Sequence, residues 1–290
     1  MSQNAASMTT FIVSKNESDQ TLQAYLAKKL KLSNRGAKNL IDRKQVWINR
    51  RNVWMARHLV RTGDTIELPN DALQTVETGK APAPVKLRIL VEDDDYLVID
   101  KPSGLLSTGT WSAEELLREQ TGIPELQAVH RLDKETTGCL LFAKSIEARN
   151  AAVEVFKTHL VKKIYQAIVW GKFERASSTV TPDLDGERAI SHISREIATK
   201  DASFIKIRIE TGRTHQIRRH LAMIRFPILG DRQYGLKKVH DPRLQTIPRV
   251  MLHASELELP HPIQIKTILK AHSPLPADFR RCLKLFDMGK

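Results

Sequence analysis

Only two cysteines occur in the 290 residues, Cys139 and Cys282, far apart and without a Cys-x-x-Cys pair. This argues against a disulfide-stapled scaffold and against a thiolate zinc site. Cys139 sits in the apolar run Cys139-Leu140-Leu141-Phe142-Ala143 and reads as a small buried hydrophobe. No apolar run is long enough to span a bilayer, and no strongly amphipathic basic helix carries aromatic anchors for a membrane surface. Met1 to Thr10 is polar and lacks the apolar centre of a signal peptide, so a cytoplasmic location is expected. No internal repeat occurs at solenoid spacing. No Ser or Cys stands in a nucleophile elbow, which disfavours a hydrolase using Asp133 with His130 or His215. The spacing of His215 and His220 is not the i, i+4 pair of a zinc protease and no acidic third ligand lies close, so no metal is expected.

Acidic residues are also scarce: 33 Asp and Glu against 46 Lys and Arg give a net charge of +13. Such a surplus predicts attraction to a polyanion and salt-sensitive binding, with nucleic acid the better candidate than membrane. The imbalance is sharpest between Lys28 and Arg61, where Asp42 is the only acid. A solvated helix face usually mixes signs; this segment reads as a phosphate-binding surface.

Four segments are expected along the chain: a disordered tail over 1–9, a small basic module over 10–69, a linker over 70–86 and a large unit over 87–290. Within the module, Leu22, Tyr25 and Leu26 recur at helical spacing, and Leu32-Ser33-Asn34-Arg35 offers a second helix start. Gln45 to Asn49 reads as a short strand, and Gly63-Asp64 turns into another ending at Leu68. In the large unit, strands are expected at Leu87–Val91, Tyr96–Ile99, Lys163–Gly171 and Ser203–Glu210. Ser145 caps a helix from Ile146 to about Leu160, with Ile146, Val153, Phe156 and Leu160 on one face. Strands dominate with a few helices between them, so the class is α+β.

The densest polar run, His130-Arg131-Leu132-Asp133-Lys134-Glu135-Thr136-Thr137-Gly138, directly precedes the apolar strand. An imidazole, a guanidinium and a carboxylate so close to a core each need a partner, and such strand edges commonly hold reactive groups. Thr211-Gly212-Arg213-Thr214-His215-Gln216-Ile217-Arg218-Arg219-His220 follows an alternating strand. There Gly212 can turn the chain into a helix whose Ile217, Leu221 and Ile224 face the core. Arg218 beside that stripe needs a buried carboxylate, and Asp133 is the expected partner. Tyr165 on its strand offers either a packing ring or a stacking platform.

These stretches, in order, resemble the RluA-type RNA pseudouridine synthases. The resemblance is carried by Lys101-Pro102-x-Gly104-Leu105, by His130-Arg131-Leu132-Asp133-x-x-Thr136-Thr137-Gly138 and by Lys163-x-Tyr165-x-Ala167. It continues through Gly212 to Arg218, Pro227-Ile228-Leu229-Gly230-Asp231, Leu252-His253-Ala254 and Pro274 to Phe279. Leu32 to Arg35, Leu40-Ile41, Val46 to Asn49 and Gly63 to Ile66 resemble the alpha-L RNA-binding motif. The resemblance implies a mixed, mostly antiparallel sheet in the catalytic domain, preceded by a small α+β alpha-L domain. It implies cofactor-free and metal-free isomerisation of uridine to pseudouridine in structured RNA. Large-subunit ribosomal RNA is the first expected substrate and transfer RNA the next; no membrane or obligate protein partner is expected. Asp133 takes the place of the catalytic aspartate, either as nucleophile or in an elimination path. Arg131 corresponds to the arginine that holds the flipped nucleotide, Tyr165 to the tyrosine stacked on the base, and Arg218 to the arginine paired with the aspartate. Arg35, Lys38, Arg43, Lys44, Arg213, His215 and Arg219 are the candidate RNA contacts. The alternative is a non-catalytic RNA-binding or ribosome-assembly factor on the same fold.

Overall fold

The computed structural model of the chain describes residues 8–32, 34–42, 45–53, 55–70, 86–109, 112–158, 160–236 and 239–289. The chain divides between Pro84 and Val85 into two units, each with its own apolar core.

In the first unit, β1 (Met8–Ile12), α1 (Leu22–Lys29), α2 (Asn34–Asp42), β2 (Trp47–Ile48), β3 (Arg51–Asn52) and β4 (Thr65–Pro69) build a four-stranded antiparallel sheet, ordered β1-β4-β2-β3, with two helices. The Thr21 hydroxyl starts α1 by accepting the Ala24 N–H at 3.2 Å, and Leu22, Tyr25 and Leu26 are buried as their spacing predicts. The tail expected over 1–9 is corrected at its end: Met8 and Thr9 belong to β1 and pair with Pro69 and Leu68. No side chain of this strand is fully buried; the backbone ladder, the Thr9–Asn70 side-chain bond of 2.7 Å and the partly buried Phe11 hold it, a weak hydropathy signal. Residues 1–7 and nearly all of the expected linker lie outside the described residues. Asn49 and Arg50 both take positive φ (49° and 63°) between β2 and β3. That is the mirror-image turn favoured in two-residue hairpins. The Asn49 side chain secures it by accepting the Thr65 N–H at 2.9 Å and donating to Asp64 at 2.8 Å.

The second unit runs β5 (Arg88–Glu92), β6 (Tyr96–Lys101), α3 (Ala113–Thr121), β7 (Gln127–Ala128), β8 (Thr137–Ala143), α4 (Ile146–Lys157), β9 (Lys162–Trp170), β10 (Ser177–Val180), β11 (Ser191–Ala198), β12 (Ala202–Ile209), α5 (Gln216–Met223), α6 (Pro242–Gln245), β13 (Leu252–Pro260), β14 (Ile268–His272) and α7 (Ala277–Leu285). Its sheet is ordered β10-β11-β12-β9-β13-β8-β6-β5, with β14 on β13 and β7 on β8. Every pairing is antiparallel except β8 with β13, joined through His253–Thr137 and Ala254–Gly138. All of β8 is buried because its alternating side chains feed two cores. Leu140 and Phe142 pack with Leu97, Ile99 and Ala167, while Cys139, Leu141 and Ala143 pack with Tyr96, Val98 and Leu257.

Two helices differ from the sequence reading. No element is expected over 113–121, yet α3 is there, started by the Ser112 hydroxyl accepting from Glu115 N–H (3.3 Å) and stopped by Gly122 at φ 70°. In α4 the Ser145 cap is as expected, but the buried face is Ala148 and Ala152. Ile146 is 50% exposed at the start of the helix; Leu160 is 66% exposed because Thr158 folds back onto the Val155 carbonyl and ends the helix before Leu160 is reached. No helix among the described residues is long and apolar enough to cross a membrane.

Candidate active site

The loop between β7 and β8 carries Asp133 and is pinned from both flanks. Ser107 brackets Leu132, its hydroxyl donating to the Leu132 carbonyl (2.9 Å) and accepting the Leu132 N–H (3.0 Å). Lys101 is fully buried and spends all three N–H bonds on the carbonyls of Pro102, Leu105 and Lys134, at 2.9, 2.8 and 3.1 Å. It thereby ties the Lys101–Leu105 turn to the residue after Asp133. Burial, aided by the charge of Arg249, pushes the Lys101 amine down to about 7, against the pull of Asp133. On the β13 side, Gly138 sits at φ 111° and a Cβ there would lie 2.1 Å from the Ala254 carbonyl oxygen. Only glycine lets the two strands approach so closely.

Asp133 thus stands at a cleft with 29% of its side chain exposed. Arg218, in the first turn of α5 and only 10% exposed, reaches its Oδ2 with Nη1 at 3.3 Å. The expected pairing is therefore present, but it is the weaker of two. Arg218 makes a bidentate pair with Asp231, Nε to Oδ2 at 2.7 Å and Nη2 to Oδ1 at 3.0 Å. Burial tends to raise the Asp231 carboxyl, yet Arg218 and the backbone N–H groups of Tyr234 and Gln233 outweigh it and hold the group low. The Tyr234 ring covers Arg218, with the guanidinium carbon 5.1 Å from the ring centroid.

Tyr165 on β9 and Arg131 line the same cleft as Asp133 and Arg218. Tyr165 is 8% exposed, and burial followed by the charge of Asp133 pushes its phenol above the usual range. His215 caps α5 in the left-handed conformation (φ 53°), with Nε2 3.8 Å from Asp133 Oδ1. Arg213 is occupied by Glu187 and by the Arg188 carbonyl, and Arg219 by both oxygens of Asp185 at 2.7 and 3.0 Å. Their acids stand in the exposed β10–β11 loop. In the first unit, Lys38 is exposed on α2; the side chain of Arg35, and Arg43 and Lys44 entirely, lie outside the described residues.

The remaining histidines of the motifs are committed elsewhere. His130 stacks on Phe156 (5.2 Å) and its Nε2 accepts the Leu141 N–H at 3.2 Å. Burial, then the charge of Lys163, pushes it down to about 3, so it is a neutral strut and no general base. His253 is tied to the Thr137 hydroxyl (2.9 Å) and the Ser273 carbonyl (3.0 Å). His220 is likewise tied to the Ser191 hydroxyl and the Pro182 carbonyl. Among the described residues, Asp93, Asp95 and His261 come nearest to a metal-ligand grouping. There His261 Nδ1 accepts the N–H groups of Ile263 and Gln264, so its proton is on Nε2, directed at Asp93 (3.1 Å). That nitrogen is a donor and not a ligand. Sequence reasoning quoted Asp231 and Asp278 within motifs but gave them no role, and it missed Tyr234 and the Arg249–Asp278 pair (2.7 and 3.0 Å), which links the Glu135 carbonyl to α7.

The family model described as RNA pseudouridylate synthase matches residues 95–223. The ribosomal large subunit pseudouridine synthase D of Xanthomonas campestris is 32% identical, over 78% of this chain and 77% of its own length. The protein of that name from Pseudomonas aeruginosa is 33% identical over 79% and 80%. An RNA pseudouridine synthase of Bacillus subtilis is 31% identical over 79% and 86%. Among solved structures, human RNA pseudouridylate synthase domain containing 4 superposes with a TM-score of 0.58 at 25% identity, covering 69% of this chain and 93% of its own.

Proposed function

This chain belongs to the RNA pseudouridylate synthase family and is an RNA pseudouridine synthase, and from that premise we propose that it isomerises uridine in large-subunit ribosomal RNA, in the cytoplasm, through Asp133. The observation that carries the proposal is the cleft itself, where one carboxylate faces a buried guanidinium at 3.3 Å beside the wall formed by Tyr165. The names of the relatives from Xanthomonas and Pseudomonas support the ribosomal substrate.

The target uridine leaves its stack and enters the cleft, because the reacting bond is inaccessible within a helix. Tyr165 offers the flipped base an aromatic face, and Arg131 at the exposed rim holds the RNA and the flipped nucleotide. The glycosidic bond from N1 to C1′ breaks, uracil turns, and C5 bonds to the same C1′; the C5 proton leaves and N1 regains one, so the product is an isomer. Asp133 serves either as nucleophile or in eliminating a ribose proton. Arg218 balances the carboxylate charge throughout and is itself fixed by Asp231. Phosphates are gripped by the basic first unit, read as an alpha-L module through Arg35, Lys38, Arg43 and Lys44. They also displace the exposed acids from Arg213 and Arg219, an exchange that costs little because such surface pairs are weak.

Carbodiimide mapping of pseudouridine in RNA from cells lacking the gene tests the substrate. Loss of one or a few sites in large-subunit ribosomal RNA, restored by the wild-type gene, is expected. Unchanged ribosomal RNA with sites lost from transfer RNA would overturn the assignment.

A further inference from the structure

Residues 231–234 form a turn over Arg218 whose hydrogen bonds have a readable direction. Asp231 Oδ1 accepts the backbone N–H groups of Gln233 and Tyr234, both at 3.0 Å, which fixes the turn. A guanidinium only donates, so the Gln233 atom facing Arg218 Nη2 at 3.5 Å is Oε1. The amide nitrogen of Gln233 then donates to the Tyr234 hydroxyl at 3.1 Å. The other contact of that hydroxyl is His215 Nδ1 at 3.2 Å, where its O–H can donate. An accepting Nδ1 leaves the imidazole proton on Nε2, the atom that faces Asp133 Oδ1 at 3.8 Å.

The backbone gives an independent sign that His215 is placed for this purpose. It holds φ 53°, a conformation a non-glycine residue seldom adopts. It also occupies the N-cap of α5 without making a side-chain cap bond. The imidazole is turned instead to Tyr234 and to the Asp133 side of the cleft. The other charged side chains lining this cleft are Arg131, Arg213 and Arg218.

We propose that Tyr234 and His215 are positioning residues for the isomerisation: Tyr234 holds His215 with its Nε2–H aimed at Oδ1 of Asp133. Arg218 holds Oδ2 at 3.3 Å and His215 faces Oδ1, so the two together fix the carboxylate plane once the second contact forms. At 3.8 Å the His215 contact is longer than a hydrogen bond, and it closes as RNA fills the cleft. The inference rests on Asp133 being the catalytic group.

The test uses the full chain labelled with 15N-histidine. Long-range proton–nitrogen correlation at neutral pH, with His215 identified by its disappearance in His215→Gln, reads the tautomer directly. The Nε2–H form is expected in the wild type and a mixture in Tyr234→Phe. On uridine-labelled RNA, Tyr234→Phe should lower kcat about tenfold with KM and RNA affinity held within about twofold. His215→Gln, which keeps an N–H donor, should retain more turnover than His215→Ala. Adding Tyr234→Phe to His215→Ala should cost nothing further, because both act through one contact. A wild-type His215 protonated on Nδ1, or a Tyr234→Phe variant with unchanged kcat, overturns the proposal. Turnover retained by Asp133→Asn would sink the underlying reading instead, while leaving the tautomer result intact.

Discussion

Arg218 carries its charge into a place where a tenth of its side chain meets solvent, and two carboxylates keep it there. Asp231, 1% exposed, is the stronger partner and has no solvent to replace it. Asp231→Ala should therefore destabilise the protein by about 3 kcal/mol in urea unfolding, because it strands a buried cation; a loss below about 1 kcal/mol would show that Asp133 suffices alone. His130 offers a pH test. Its folded value, about 3, lies below the ordinary 6.5, so the neutral ring contributes stability that is complete above pH 6.5. That stability drains as pH falls from there, because the unfolded chain takes up a proton the native ring refuses. His220 and His253, also lowered, act in the same sense. The Tm should fall between pH 7 and pH 5, and less steeply in His130→Gln, whose amide oxygen can still accept from Leu141; a flat Tm would contradict the buried-neutral assignment. Asp133, Tyr165 and Arg218 were legible because their neighbours in sequence are distinctive. The roles of Asp231 and Tyr234 were not, since nothing in residue type reveals that their loop folds onto Arg218.

Among the elements, strands with strict alternation were the easiest to read: β12 buries Ile205, Ile207 and Ile209 as its pattern requires. Strand β1 escaped notice because its ladder to β4 fully buries no side chain. Helix α3 carried a legible signature, Ser112 three residues before Glu115 and Gly122 as its stop, but a weak apolar stripe. The face of α4 was read only in part: Phe156 packs on the core as expected, but alanines, too small to stand out, make the close contact while Ile146 and Leu160 reach solvent. The parallel seam between β8 and β13 is the junction on which the Asp133 loop hangs. Gly138→Ala should cost more than about 2 kcal/mol and abolish turnover, as the added methyl meets the Ala254 carbonyl at 2.1 Å. Differential scanning calorimetry and a turnover assay on the same sample check both; an unchanged Tm would mean the seam can open without cost.

At the scale of the whole chain, the net charge of +13 and the near absence of acids between Lys28 and Arg61 argue for a long-range grip on RNA by the first unit. Removing residues 1–86 should weaken RNA binding and flatten the slope of log affinity against log salt by several units, about one for each phosphate no longer neutralised. An unchanged slope would assign the grip to the second unit alone. The division of labour we propose is a basic unit that holds RNA and a sheet-based unit that presents one carboxylate to a flipped uridine. Release of tritium from RNA labelled at carbon 5 of uracil, measured side by side for wild type and Asp133→Asn, tests that claim most directly. The wild type should release tritium while the variant binds the same RNA and releases none; release by the variant near the wild-type rate, or none from the wild type despite tight binding, would contradict it.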